Sequence, residues 1–394
     1  MKIAMLTNSY KPYVAGVPIS IERLVKGLRG LGHEVVVFAP SYQKQEEEEQ
    51  GIVRVASPIQ GIEGGFSVPF CLDPQIEREF RKGKFDLIHV HHPMLMGDVA
   101  KHLSRKYRLP LVMTYHTRYE QYLHYIGLAF CKGLMPAYLQ LSMCKCSAVI
   151  APTPQIREHL YQIGIKAPVY VLPTGLEAES FALEKQKAEL LREKHLQGRQ
   201  YFFCTVARLA KEKNLDFLLE TLARCRQKLC KMGGFKLLLI GEGSYRKHLE
   251  KRIGELGLWE EVELTGAVPN EQVKDYCAAS DLFLFPSKSE TQGIVLLEAM
   301  AVGTPVLALK ATGTEDVVRN GWNGYMVREE EFETMLMDIL EKKELSVLRQ
   351  GAVCTAGQYR EEMIAKKACA IYRAAIAGFV SGLANGISEQ VAVQ

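Results

Sequence analysis

Short apolar runs alternate with stretches of helical spacing along most of the chain. Lys2–Thr7, Glu34–Ala39, Asp86–Val90, Leu111–Tyr115 and Ala148–Ala151 are largely apolar and too short for helices, which predicts buried strands. Residues 19–31 carry Ile21, Leu24, Val25 and Leu28 at helical spacing, and Gly32 stops that helix. The pattern restarts after Pro173. Tyr201–Val206, Lys236–Ile240, Glu261–Thr265, Leu282–Phe285 and Val306–Ala308 read as strands, with a helix over Leu215–Leu222. Alternation of this kind predicts parallel sheets with crossover helices. The expected fold class is α/β, with two doubly wound Rossmann-like domains facing a cleft and a hinge near Leu172–Leu176. The expected limits are residues 1–172 and 173–365, with a C-terminal helix and tail over 366–394. Residues 356–383 read as helical, and they either pack on the second domain or cross back to the first. Ligands of such sheets sit beyond the carboxyl ends of strands, so the loops there are where chemistry is sought.

Composition narrows the picture. A length of 394 residues suggests two or three domains, and 47% hydrophobic with 24% charged residues is ordinary for a globular chain with a sizeable core. The net charge of +4 is too small to imply nucleic acid. Ten cysteines without paired C-x2-C units do not read as a zinc site, and reduced thiols of a cytosolic protein are expected. Met1–Thr7 reads as a strand rather than a secretory leader. No apolar stretch reaches the ~18–20 residues that span a bilayer, so any membrane contact is expected from the surface. The glutamates at 46–49 read as a solvated loop.

Charged groups at the ends of predicted strands supply the candidate chemistry. The strand ending at Val206 leads into Ala207-Arg208-Leu209-Ala210-Lys211-Glu212-Lys213-Asn214. Arg208 and Lys213 thus follow a strand and precede a helix. A departing diphosphate needs cations held in place before charge develops on its oxygens; a solvated basic turn is the plainer alternative. The run Ser289–Ala301 places Glu290 before a helix N-terminus and Glu298 within the helix, between Leu297 and Ala299. A carboxylate in so apolar a helix is costly to bury unless partners such as sugar hydroxyls meet it. The N–H groups of Gly293 and Ile294 at the helix start suit a phosphate. Two surface carboxylates on a core helix remain the competing reading.

Glu290-x7-Glu298, with Gly303-Thr304-Pro305-Val306 after it and Arg208-x4-Lys213 before it, resembles the retaining GT-B glycosyltransferases of family 4 over nearly the whole chain. The resemblance implies that Arg208 and Lys213 hold the donor diphosphate, Glu298 the ribose and Glu290 the donor sugar. It implies that Gly241 and Val268 frame the nucleotide and that Gln292, Gly293 and Ile294 lie over sugar and phosphates. It implies no metal and no cofactor beyond the UDP-sugar substrate. Retention in such enzymes is usually explained by front-face attack with the leaving phosphate as base. In the first domain, members usually carry two glycines where this chain has Ala15 and Gly16; Gly16 still permits close backbone approach. His116, in Thr114-Tyr115-His116-Thr117 after a strand, is expected to contact the transferred sugar. His89, His91 and His92 lack a carboxylate partner and read as structural.

The run Tyr115–Ile126 resembles the bacterial diacylglycerol glucosyltransferases. An apolar, aromatic stretch over Gly127–Met143 and a basic segment placing Lys101, Arg105 and Arg108 on one helical face suit an anionic lipid surface, with a core helix beside a solvated face as the alternative. The expectation is a cytoplasmic enzyme, peripheral on the inner face of the cell membrane, moving a hexose, glucose by resemblance, from a UDP-sugar to a lipid such as 1,2-diacylglycerol. The partners are the UDP-sugar, the lipid acceptor and the anionic surface, with no nucleic acid. The rivals are a GT-B transferase acting on a soluble or polysaccharide-precursor acceptor, an epimerase or phosphorylase of the same architecture, and a silent sugar-nucleotide-binding protein.

Overall fold

The computed structural model describes residues 1–13, 15–42, 50–62, 66–116, 133–288, 292–342 and 345–392, without the side chains of 61, 62, 66, 312 and 382–392. The chain forms two compact units, Met1–Gly175 with Glu361–Gln394, and Leu176–Arg360.

The first unit holds β1 (Lys2–Leu6), β2 (Glu34–Pro40), β3 (Ile52–Val55), the antiparallel pair β4 (Ile59–Ile62) and β5 (Phe66–Val68), then β6 (Leu87–Val90), β7 (Leu111–Thr114), β8 (Ala148–Ala151) and β9 (Val169–Val171). Seven of these make one parallel sheet in the order β3-β2-β1-β6-β7-β8-β9. Ile3, Ala4, Met5 and Leu6 are fully buried, as a strand covered on both faces requires. Strand order reverses at β1, between β2 and β6, so the crevice of this unit lies beyond Leu6 and Val90.

The second unit repeats the plan with β10 (Tyr201–Val206), β11 (Phe235–Ile240), β12 (Val262–Gly266), β13 (Leu282–Phe285), β14 (Val306–Leu309) and β15 (Gly324–Val327). Its sheet runs β12-β11-β10-β13-β14-β15, all parallel. The reversal falls at β10, which directs attention to the loops after Val206 and Phe285. The pattern of apolar runs had not marked β3, β9 or β15, which are short and carry polar or half-buried positions.

The helical stretch expected over 356–383 is two helices. Leu345–Gly357 packs against Ile294–Ala301 in the second unit, and Glu361–Ala392 belongs to the first. Between them, Tyr359 O accepts from Leu176 N at 2.6 Å, and the Arg360 guanidinium lies 4.1 Å from the Phe181 ring centroid. The last helix lays Ile364, Ala368, Tyr372 and Ala375 onto Ile21, Val25 and Leu28 of helix Gly16–Gly30. The two backbones meet at Gly27, where a Cβ would come within 2.9 Å of Ala365 Cβ. Gly27→Leu therefore lowers the stability of the first unit by about 1–3 kcal/mol through overpacking. A urea midpoint unchanged from wild type would show that the helices do not press together there.

Candidate functional site

In the second unit, the loops after β10 and β11 are stitched to each other. Ala207 N donates to Ile240 O at 3.0 Å, Leu209 N to Glu242 O at 2.9 Å and Tyr245 N to Leu209 O at 3.1 Å. Only glycine fits the facing positions. Gly241 has φ +141, and a Cβ there would collide with Ala207 O; at Gly243 it would collide with Leu209 O. This seam fixes the backbone on which Arg208 stands. The Arg208 guanidinium is exposed and meets Glu212 at 2.7 Å. An exposed pair of this kind contributes little stability, which leaves the cation available to a stronger anion. Lys213 ends a 3₁₀ turn over Lys211–Lys213, and Asn214 follows with φ 57.

Asn214 ties that turn to the loop after β13. Its Nδ2 donates to Pro286 O and to Glu329 Oε1, each at 3.2 Å. Glu329 also meets Lys288 at 2.6 Å, and that hydrogen bond leads the causes that hold its carboxyl below the usual range. Sequence reading missed Asn214, Lys288 and Glu329, and the left-handed backbone at a non-glycine residue gives no signal in a sequence pattern. Glu290 lies outside the described residues. Gln292 is buried, and Gly293 caps the helix Ile294–Ala301 with φ 65. The first helical N–H is therefore that of Ile294, one residue later than Gly293, and no side chain caps this end among the described residues. Glu298 is half-buried between Leu297 and Ala299, which are both fully buried. Its charge reaches Cys277, whose thiol is pushed well up first by a hydrogen bond with Cys204, then by burial, with Glu298 adding to the rise. Val268 is half-buried just beyond β12.

In the first unit, histidines collect at the ends of β6 and β7. His116 Nε2 is 2.9 Å from His91 Nδ1. His89 is hydrogen-bonded to the Tyr372 hydroxyl at 2.8 Å and to Thr114 Oγ1 at 2.7 Å. Asn8 N donates to His92 Nδ1 at 3.2 Å. Burial holds these rings neutral: it depresses His89 to about 3 and His92 to about 4. His91 and His116 are pushed well below the ordinary value, again chiefly by burial. Among the described residues, no group of three His, Cys, Asp or Glu side chains is placed to hold a metal ion. Gly16 opens the helix Gly16–Gly30 after extended Ala15, and a Cβ there would meet nothing within 4 Å. The space beside it is open, and the backbone itself does not demand glycine.

The expected basic face is corrected. Helix Met96–Tyr107 ends before Arg108, which has φ 53. Lys101 turns inward, meeting Asp98 at 2.7 Å and Ser142 Oγ at 3.5 Å. Arg105, Lys106 and Arg108 are exposed, with Lys106 paired to Glu77 at 2.6 Å. Residues 117–132, which hold most of the run Tyr115–Ile126 and the start of the stretch Gly127–Met143, lie outside the described residues. In helix Met135–Met143, Met135, Leu139 and Met143 are core, whereas Leu134 and Leu141 are exposed by 68% and 73%. The described part of the stretch is thus a core helix with two leucines left at the surface.

Comparisons with known proteins agree with this architecture. The family "Glycosyltransferase Family 4" matches residues 14–180 and "Glycosyl transferases group 1" matches residues 186–349. The chain is 27% identical to an alpha-monoglucosyldiacylglycerol synthase of Acholeplasma laidlawii, over 94% of this chain and 96% of that protein. It is 25% identical to a GDP-mannose-dependent alpha-mannosyltransferase of Corynebacterium glutamicum, over 87% of this chain and 78% of that one. Among solved structures, that of Anabaena HepE in complex with UDP superposes with a TM-score of 0.75 at 21% identity, over 94% of this chain and 98% of the other.

The neutral histidines make the first unit sensitive to acid. Unfolded, each titrates near about 6.5; folded, each stays neutral far below that. Below pH about 6.5 the unfolded chain therefore binds more protons, and stability falls as pH drops toward the folded values near 3 and 4. The urea midpoint should be flat above pH 7 and fall between pH 6.5 and 5, before most carboxylates titrate. His89→Gln should reduce that slope by up to about 1.4 kcal/mol per pH unit, one proton's share. A midpoint constant from pH 6.5 to 5 would count against neutral burial.

Proposed function

We propose, from the premise that this chain belongs to the GT-B glycosyltransferases, that it transfers a hexose, glucose in the first instance, from a UDP-sugar to a membrane lipid such as 1,2-diacylglycerol, with retention of configuration. The observation that carries this reading is the likeness to a glucosyldiacylglycerol synthase along almost the full length of both chains. That relative's printed name makes its product alpha, and a UDP-hexose donor is itself alpha-linked, which supports retention.

In this reading, Arg208 and Lys213 receive the diphosphate. The seam at Gly241 fixes the backbone that carries Arg208 before the charge develops. The N–H groups at Ile294, with Gly293 and Gln292 beside them, add the positive end of a helix. Glu298 grips the ribose, Val268 flanks the nucleotide and Glu290 contacts the sugar. With two cations and a helix N-terminus, the donor needs no metal. His116 contacts the transferred sugar, and the leaving phosphate takes the acceptor's proton. Gly16 leaves open space on the acceptor side. A second reading, the same chemistry on a soluble or polysaccharide-precursor acceptor or with another donor, is favoured by the mannosyltransferase relative.

Among the described residues, no helix is long and apolar enough to cross a membrane. We assign the lipid contact, on the cytoplasmic face, to the exposed Arg105 and Arg108 and the exposed Leu134 and Leu141.

A screen of UDP-glucose, UDP-galactose and GDP-mannose against diacylglycerol and soluble sugar acceptors, read by mass spectrometry, tests the assignment. Glucosyl-diacylglycerol is the expected product; product only with soluble acceptors would select the second reading. Lys213→Ala should cut transfer by about 100-fold or more and leave the urea midpoint within about 0.5 kcal/mol of wild type. Excess EDTA should leave the rate unchanged, and a metal requirement would overturn the metal-free scheme. Vesicles containing anionic lipid should sediment the protein at low salt and release it as salt rises. Leu134→Asp/Leu141→Asp should weaken that binding; equal sedimentation of this variant would move the lipid surface elsewhere.

A further inference from the structure

The histidines that sequence reading set aside as structural stand directly behind His116. His89 is clamped from two sides, by the Tyr372 hydroxyl of the last helix and by Thr114 Oγ1 of β7. The ring of His91 packs on that of His89, with centroids 4.2 Å apart, and His91 in turn bonds His116. Tyr372, Thr114 and His91 thus all meet the His89 ring, and His91 links that group to His116.

A neutral imidazole carries one N–H and one lone pair, so in the contact between His91 Nδ1 and His116 Nε2 only one ring supplies the proton. If His116 supplied it, His91 would carry its own proton on Nε2. That nitrogen is buried and has no hydrogen-bond partner among the described residues. A buried donor left unpaired is rarer than an acceptor left unpaired. The arrangement that avoids it has His91 Nδ1–H donating to His116 Nε2, with a bare lone pair at His91 Nε2.

We infer that His91 is a positioning residue for His116: it fixes the His116 ring and holds its proton on Nδ1, so that His116 meets its ligand as a hydrogen-bond donor and not as a base. The nitrogen that carries the proton is set by the bond that the other nitrogen makes. Resting on the sugar-transfer reading, this assigns His116 Nδ1–H to an oxygen of the transferred sugar. It removes His116 from any role in taking the acceptor's proton, because its one lone pair is already engaged by His91.

The test uses the full chain with 15N-labelled histidine. Two-bond nitrogen–proton correlations report which ring nitrogen is protonated, and loss of one pattern in His116→Gln assigns His116. Wild type should show His116 protonated on Nδ1. His91→Leu, which removes the donor, should give a mixture of both forms. In His91→Asn the amide Nδ2–H replaces the lost donor and should restore the wild-type form. A wild-type proton on His116 Nε2, or an unchanged pattern in His91→Leu, overturns the inference; the wild-type spectrum alone decides it should a variant not fold. In transfer assays with a UDP-hexose, His91→Leu should lower kcat about tenfold with KM for the donor within about twofold, and His91→Asn should recover most of the loss. Equal losses in both variants would also overturn it. Absence of transfer with every donor would fail the sugar-transfer reading, whereas the nitrogen spectra would still decide the tautomer.

Discussion

Parallel pairing is the constraint on which the rest of this structure depends. Each main sheet has all its strands running one way, so every carboxyl end falls on the same edge of its sheet. Strands buried on both faces can hold almost nothing but apolar side chains, which forces polar and charged groups into the loops at those edges. Where the strand order reverses, the neighbouring crossovers leave in opposite directions and a crevice opens. The histidines follow from β6 and β7 at one such edge, and Arg208 and Lys213 follow from β10 at the other.

What could be read in advance follows from the same constraint. Ile3–Leu6 and Leu282–Phe285 announce themselves because burial on both faces removes every polar residue from the run. Val169–Val171 and Gly324–Val327 do not, because an edge strand keeps one side partly wet and can be short. Arg208 and Lys213 were legible as cations after a strand, but the seam that holds Arg208 was not. That seam depends on backbone atoms of Ala207 and Leu209 meeting two glycines from a loop more than thirty residues away. Spacing alone also placed Lys101 with Arg105 and Arg108. The structure separates them, because Asp98 and Ser142 draw Lys101 inward and Arg108 lies past the helix end in a left-handed conformation.

The two units manage charge in opposite ways. In the second unit the cations lie at or near the surface, Arg208 has a half-buried carboxylate partner, and the positive helix end adds to them. Such a region is electrostatically poised for an anion, because the weak existing pair is readily exchanged for a stronger one. In the first unit the ionisable rings are buried and kept neutral, so they offer directed hydrogen bonds without net charge. A nucleotide sugar has the same division: its diphosphate is charged, whereas the hexose is neutral and rich in hydroxyls.

The return of the final helix to the first unit gives the order of synthesis a physical meaning. Ile364, Ala368 and Tyr372 cover apolar side chains of helix Gly16–Gly30 that leave the ribosome long before them, and Tyr372 supplies a partner to His89. The unit translated second, Leu176–Arg360, is contiguous and has all its residues before that cover exists. At roughly 5–20 residues per second, the nascent first unit waits tens of seconds with an apolar flank uncovered. The unit whose synthesis starts before the other's is thus finished after it.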